Sequence, residues 1–156
     1  MAIPVALRAV IEALDMQGDL SNAYLNRSSA ETLMLSHEEI EMAQTMSPEE
    51  LAERPERERE VIAQATKVRG SADYLKLPGK FELHEWRMME KFCHAHTDRS
   101  RQEALLDAIH ARGAFRRFKN ALDASELNEW YYFREAEFSR LARNWLESNR
   151  IAYQPD

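Results

Sequence analysis

The side chains best suited to metal binding or nucleophilic catalysis are concentrated between positions 84 and 110. They are four histidines and the single cysteine: His84, Cys93, His94, His96 and His110. Structural zinc sites usually contain ligand pairs spaced as C-x2–4-C or H-x3–5-H. His94 and His96 have the wrong interval for one helix face, which leaves Glu90 with His94 as a weak pair of ligands. We therefore predict solvated histidines near helix ends, with no metal site and no cofactor.

No catalytic motif is found elsewhere in the chain. Cys93 falls on the same helical face as Trp86 and Met89, a position typical of an inert core cysteine. The segment that begins at His84 lacks the second histidine of an H-E-x-x-H metalloprotease helix, because Met88 occupies that position. The four glycines are dispersed, so no glycine-rich phosphate loop and no Gly-x-Ser-x-Gly elbow is present. We therefore predict no catalytic residue.

The strongest chemical signal is the basic and aromatic segment at residues 112–119, with the sequence RGAFRRFK, in a chain of net charge -6. Residues 99–119 contain six basic and two acidic residues, a balance of +4, whereas residues 37–60 contain nine glutamates and three arginines, a balance of -6. These opposite charges suggest that the two regions face each other, within one chain or across a dimer. The net acidity disfavours nonspecific binding to nucleic acid, and the local basic segment leaves such binding open.

Helical spacing divides the cations of this segment between two flanks. At about 100° per residue, a helix that buries Phe115 and Phe118 places Arg116 and Lys119 on one flank. Arg117 then emerges on the opposite flank. We expect the phenylalanines to anchor the helix in the core and the cations to remain free to bind an anion.

Arg134 is an anomaly on a long C-terminal helix that is predicted to begin near Asp123 or Ser125 and to end near Ser148. The predicted apolar stripe of this helix comprises Leu127, Trp130, Tyr131, Phe138, Leu141 and Trp145. Arg134 falls close to the centre of that stripe, and Phe133 points away from it. Burying a guanidinium without a partner costs too much desolvation free energy for a stable fold. Arg134 must therefore pair with a carboxylate, or line a cleft that receives an anionic ligand or partner.

The elements that position these residues are mostly helical. Apolar periodicity and capping residues predict helices that begin near Leu7, Ser36, Ser47, Glu56, Leu83, Asp98 and Phe115, in addition to the C-terminal helix. Residues 23–26 and 31–35 flank a polar turn and predict a β-hairpin, with residues 73–77 as a third strand. The fold class is mostly α (α+β), a helical domain of about six to seven helices with a small antiparallel two- or three-stranded sheet. We expect a single globular domain over residues 1–156 that contains an acidic helical segment at residues 37–70.

Composition indicates a folded protein of a reducing compartment. The chain has 156 residues, of which 44% are hydrophobic and 31% charged, as in an ordinary globular domain. No apolar run approaches the roughly 20 residues needed to cross a bilayer, and the N-terminus does not resemble a secretory signal. The single cysteine excludes an intramolecular disulfide. We predict a cytoplasmic protein without membrane contact.

Four segments, in this order, resemble the framework of an uncharacterised bacterial protein family. They are Tyr-Leu-Asn at 24–26, the segment 80–92 with His-Glu-Trp, Gly-Ala-Phe-Arg-Arg-Phe at 113–118, and Trp-Tyr-x-Phe-Arg at 130–134. Trp86 stands where many relatives have tyrosine, and the acidic stretch 49–60 has no counterpart in the pattern. The family has no established activity, so the resemblance transfers no catalytic residue. It implies that His84, Arg116, Arg117 and Arg134 belong to a framework that the family shares.

The leading hypothesis is a small non-catalytic binding or regulatory module that recognises an acidic protein surface or another anion. We expect an unknown protein partner, or a homodimer. The residues expected to bind are Arg116, Lys119, Arg134, Arg117 and His84. One alternative, less favoured, is binding of RNA or DNA by residues 112–119, with aromatic rings on bases and arginines on phosphates. The other is an enzyme with an arginine-lined anion pocket in which His84 or Glu85 acts as an acid or base.

Overall fold

The computed structural model of the protein describes residues 3–155. In chain order the elements are β1 (Val5–Ala6), α1 (Leu7–Met16), β2 (Ser21–Asn26), β3 (Thr32–Ser36), α2 (His37–Thr45), α3 (Pro48–Ala52), α4 (Glu56–Gly70), β4 (Tyr74–Lys76), α5 (Lys80–Leu83), α6 (Glu85–His94), α7 (Arg99–Ile109), α8 (Ala114–Ala121), α9 (Ala124–Ser148) and β5 (Tyr153–Gln154). The predicted fold class, mostly α with a small antiparallel sheet, is confirmed. The described helices outnumber the six to seven expected. Two of them are short: α3, whose beginning at Ser47 was predicted, has five residues, and α5, which was not predicted, has four.

The chain divides into two compact units. One contains the residues up to Lys80 and those from Ala142 onward, and the other contains Phe81–Leu141. Helix α9 contributes residues to both units. The single domain expected over residues 1–156 stays a prediction.

The sheet of the first unit has the strand order β3-β2-β4, and both pairings are antiparallel. The hairpin between β2 and β3 turns on Asn26, whose side-chain oxygen accepts hydrogen bonds from the backbone N–H groups of Ser28 and Ser29. Such a local bond from an asparagine side chain competes with the ladder and ends the strand. The predicted hairpin and its third strand are confirmed. The parallel pairing of β1 with β5 was not predicted, because each strand has only two residues and therefore shows no alternating pattern.

Both predicted capping boxes begin helices of the acidic segment. The side chain of Ser36 caps α2 and exchanges hydrogen bonds with Glu39, and Ser47 does the same for α3 with Glu50. Pro55 lacks an N–H donor and stands immediately before α4. None of the residues of α2 or α3 is buried, whereas α4 packs Ile62, Ala65 and Val68 inward. These helices, at residues 37–70, therefore expose their charged surfaces.

The core of the second unit is built from α6, α7, α8 and the first half of α9. Its buried residues are Met88, Met89, Phe92, Cys93, Leu105, Ile109, Phe118, Leu122 and Trp130. The rings of Phe92, Phe118 and Trp130 contact one another edge to face at centroid distances of 5.0–6.0 Å. Edge-to-face packing brings the positive ring edge against the negative ring face, which favours one arrangement of these helices.

Helix α8 does not bury Phe115, contrary to the sequence-based prediction. The Phe115 side chain is 47% exposed, whereas Phe118 is 0% exposed. Ala114, Ala121 and Leu122 accompany Phe118 on the inner face of this short helix. At about 100° per residue, Phe115 lies at the edge of that face rather than within it.

The predicted stripe of α9 is confirmed at Leu127 and Trp130 and wrong at Tyr131 and Phe133. Tyr131 is 49% exposed, and Phe133, expected to point outward, packs against the core of the second unit. The buried apolar residues of α9 are Trp130, Phe138, Ala142 and Leu146. Steps of four residues advance by about 400°, so the buried face rotates around the helix by about 40° per step. A single straight stripe cannot represent such a face.

Two local predictions around α6 and α7 also need correction. The helix expected to run from Leu83 to near His96 is interrupted at His84, whose φ of 53° is left-handed. Gly113 was expected to end the helix that contains Ile109 as its C′ residue, but α7 already ends at Ile109. Gly113 instead has φ 73° and precedes α8 directly. Within residues 3–155, no helix is sufficiently long and apolar to cross a lipid bilayer.

Candidate functional site

The orientation of α8 is determined by the turn at Gly113, where the helix begins, and by the buried ring of Phe118. Gly113 adopts the left-handed conformation that glycine tolerates best, and its carbonyl accepts the first helical hydrogen bond, from Arg117 N at 3.0 Å. Phe118 then anchors the helix in the core. The opposite side of α8 therefore faces solvent with its charged residues.

Three predicted site residues lie on the exposed part of α8. The side chains of Arg116 and Arg117 make no hydrogen bond or ion pair within residues 3–155. Lys119 has an aromatic partner, since its Nζ lies 5.9 Å from the centroid of the Tyr131 ring. The helical geometry places Arg116 and Lys119 on one flank and Arg117 on the other, as predicted.

Phe115 completes a mixed surface that we call the α8 face, defined as Phe115, Arg116, Lys119 and Tyr131. Phe115 and Lys119 are four positions apart, which makes them neighbours on a helix. The face therefore joins two half-exposed aromatic rings to two cations. Aromatic residues and arginine are the types that contribute most to protein–protein binding energy. Sequence reasoning identified the cations but missed both rings, because their spacing also fits a core face.

Arg134 lies in a different environment. Its guanidinium Nε and a terminal nitrogen both contact Oε1 of Glu85, and its Cζ lies 4.3 Å from the ring centroid of Phe138. The Arg134 side chain is 24% exposed. Glu85 thus supplies the carboxylate partner that the sequence required for a half-buried guanidinium. The alternative role of Arg134, as a contact for a ligand, stays a prediction.

His84 lines a shallow groove of about 220 Å³ that contains no residue of α8. Arg87, Lys91 and Arg140 contribute its positive charges, together with Glu82 and Glu137. Two of these cations are already engaged, because Lys91 and Arg140 each contact a Glu137 carboxylate oxygen at 2.8 Å. The groove therefore has little positive charge available for a further anion.

Glu126 is the centre of a polar cluster that sequence reasoning missed. Its carboxylate accepts hydrogen bonds from Arg101, from the backbone N–H of Asp123 at 3.0 Å and from His96 Nε2 at 2.7 Å. His96 Nδ1 accepts from the Asp98 N–H at 3.0 Å, so the imidazole proton lies on Nε2. The hydrogen bonds from Arg101 lower the pKa of Glu126 from 4.5 to about 2. The one available signal was the spacing of Asp123 and Glu126, which form a capping box.

The Glu126 cluster borders a cavity of about 580 Å³ that also includes Phe92, Phe133 and Glu129. A general base needs a free lone pair and a pKa near neutrality. Glu126 has neither, because hydrogen bonds occupy both carboxylate oxygens and depress its pKa. The arrangement therefore joins α7 to α9 and is poorly suited to proton transfer.

Cys93 is buried in the core of the second unit, as predicted. Burial raises the pKa of its thiol to about 11. The thiolate is the reactive species, so this cysteine is suited to neither nucleophilic attack nor metal binding. No cluster of three or more His, Cys, Asp or Glu side chains is arranged to hold a metal ion in the portion of the chain from 3 to 155.

Comparison with known protein families places the chain in a family. The model of an uncharacterised protein family, UPF0158, matches residues 2–155. The chain belongs to UPF0158. No curated protein and no solved structure matches it. The sequence-based resemblance to an uncharacterised family is thereby confirmed.

The family description of UPF0158 names no activity, so a function for this member is inferred from the geometry of its own residues. Of the five residues predicted to bind, the structure brings Arg116 and Lys119 together and places Arg117 on the other side of the same helix. Arg134 and His84 lie outside the α8 face. The α8 face is therefore the candidate site of this UPF0158 protein.

Proposed function

We propose that this UPF0158 protein is a cytoplasmic, non-catalytic binding or regulatory module that recognises an acidic protein surface through the α8 face. The observation that carries the proposal is the exposure of Phe115 beside the unpaired cation Arg116 and the Lys119–Tyr131 pair. Phenylalanine is usually buried, and here the same short helix buries a second phenylalanine completely. Contact with a partner would remove the exposed ring from water.

The cations explain the choice of an acidic partner. Charges at the rim of an interface steer association and exclude like-charged partners. Arg116 and Lys119 would meet carboxylates, while Phe115 and Tyr131 would supply apolar contact area. Protein is favoured over nucleic acid because the chain as a whole carries a charge of -6, which repels an extended polyanion. The enzymatic alternative, with His84 or Glu85 as an acid or base, is less favoured, since Glu85 is paired with Arg134.

The test is affinity purification of the tagged full chain at low salt, with proteins and nucleic acids both identified. We expect one or more acidic proteins to be retained by the wild type and lost with Arg116→Glu/Lys119→Glu. The control is Arg87→Glu/Arg99→Glu, which reverses two exposed cations outside the α8 face and changes the net charge equally. Unchanged partners in the first variant, or equal losses in both, would contradict the proposal.

Nucleic acid is a distinct outcome of the same experiment. Counterion release makes its binding fall steeply between roughly 50 and 200 mM salt, and nuclease treatment would abolish the retained material. Retention of RNA or DNA that depends on Arg116 would replace the acidic protein with a nucleic acid as the partner.

A further inference from the structure

We propose that the acidic surface recognised by the α8 face is the groove between α2 and α4 in a second copy of the same chain, which receives Phe115. The inference rests on the proposed function and names its partner. It follows from the shape and charge of that groove, which lies in the acidic segment at residues 37–70.

The groove has a volume of about 360 Å³. Met42, Val61 and Ile62 provide its apolar surface. Pockets of 300–1,000 Å³ hold ligands of drug size, so this groove has room for one phenylalanine side chain and the methylenes of a neighbouring lysine. An apolar groove of this kind matches the exposed Phe115 ring.

The rim of the groove carries Glu38, Glu39 and Glu58, together with Arg54 and Arg57. The wider segment of residues 37–60 has nine glutamates against three arginines. The Glu38 side chain makes no hydrogen bond or ion pair within residues 3–155. Of the other rim carboxylates, Glu39 caps α2 and Glu58 pairs with Arg54 at 3.3 Å. Glu38 is therefore the free carboxylate beside the apolar groove, as Arg116 is a free cation beside the exposed ring of the α8 face.

Each surface is open in the single chain. Phe115 is 47% exposed, and the groove is a void at the surface of α2 and α4. A two-fold arrangement would use both surfaces of both copies, because residue i contacts j and residue j contacts i. Two small contacts made together bind more tightly than either alone.

Self-association of the untagged full chain is measured by sedimentation velocity, at concentrations up to about 1 mM, where weak dimers are populated. We expect a dimer at about 0.01 M salt and dissociation toward 1 M salt, where the Debye length falls to about 3 Å. Arg116→Glu/Lys119→Glu and Phe115→Ala should each weaken dimerisation by about tenfold or more. Arg87→Glu/Arg99→Glu should dimerise as the wild type does.

A charge exchange identifies the groove as the partner surface. Glu38→Lys/Glu58→Lys should be monomeric alone, as should Arg116→Glu/Lys119→Glu. An equimolar mixture of the two variants should form a heterodimer, because the acidic α8 face of one then meets the basic groove of the other. All substitutions are at exposed or rim positions, and circular dichroism verifies that each variant is folded.

A wild type that stays monomeric at every salt and concentration, or a mixture that stays monomeric, would overturn the second-copy inference. The proposed function fails separately. If the wild type is monomeric but Arg116→Glu/Lys119→Glu still loses an acidic protein in affinity purification, the α8 face binds a different partner. If neither experiment responds to the α8 variants, both proposals are wrong.

Discussion

Glu126 lies in the fork of the Arg101 guanidinium, where Nε donates to Oε2 at 3.1 Å and a terminal nitrogen donates to Oε1. The two residues are 25 positions apart, and their pairing joins the beginning of α7 to the beginning of α9. Arg101 also donates to the carbonyl of Ala121, which ends α8. One buried carboxylate therefore organises the ends of three helices.

This pairing predicts acid sensitivity. The folded protein holds the pKa of Glu126 at about 2, below its ordinary value of 4.5. The stabilisation is complete above the unfolded pKa and is lost as pH falls from about 4.5 toward 2, because the unfolded chain then binds a proton that the folded chain does not. Denaturant unfolding of wild type and Glu126→Gln between pH 7 and pH 2 measures the effect. The variant should lose roughly 1.5–3 kcal/mol at pH 7 and show a flatter pH dependence. Parallel pH curves would contradict the assignment.

The Arg134–Glu85 pair predicts energetic coupling. Removing one partner takes away the counterion that the other contacts at a largely buried position, so Arg134→Gln and Glu85→Gln should each destabilise the fold. The double variant should cost less than the sum of the two, with an interaction free energy of about 0.5–3 kcal/mol in a double-mutant cycle. Additive losses would indicate that the pair has no structural role, and would return Arg134 to the candidate ligand contacts.

The two phenylalanines of α8 should contribute very different amounts to the free energy of unfolding. Phe118→Ala removes a ring from the centre of an aromatic cluster and should cost about 3–5 kcal/mol in the free energy of unfolding. Phe115→Ala removes a half-exposed ring and should cost less than about 1 kcal/mol. Urea denaturation of both variants makes the comparison, and equal losses would show that Phe115 is a core residue.

Substitution of Gly113 should lower the stability of the fold through the backbone conformation and not through a steric clash. Its φ of 73° is left-handed, and a Cβ added there would meet nothing within 4 Å. Gly113→Ala should therefore destabilise the protein by roughly 1–2 kcal/mol through conformation alone. Gly70→Ala provides the matched control, since the Cβ also meets no atom within 4 Å and the residue ends α4. A Gly113→Ala protein as stable as this control would contradict a strained turn.

Local chemistry made much of the fold predictable. The Ser36–Glu39 and Ser47–Glu50 capping boxes each act within four residues, so their sequence spacing is sufficient to locate them. The hairpin between β2 and β3 is equally local, because its turn is stabilised by Asn26 within three residues. The burial of Cys93 also followed from its neighbours on one helical face.

The sequence-based predictions fail where contacts between residues far apart in the chain determine which side chains are buried. Phe115 and Tyr131 were placed in the core because apolar spacing at three and four residues predicts one buried face, yet both are half exposed. The buried face of α9 rotates along the helix, and periodicity alone does not predict that rotation. The cluster of His96, Arg101 and Glu126 joins residues up to 30 positions apart, so no local sequence motif predicts it.

The sequence by itself determined most of the helices, the three-stranded sheet, the two capping boxes, the charge polarity and the absence of recognisable catalytic motifs, because these depend on residue type and on neighbours a few positions away. Only the tertiary structure decided which side chains remain available for binding. Arg134 was bound by Glu85 and Glu126 by Arg101, since burial requires that charges be paired. Arg116 was left unpaired beside an exposed ring of Phe115, because the inner face of α8 had already been filled by Phe118.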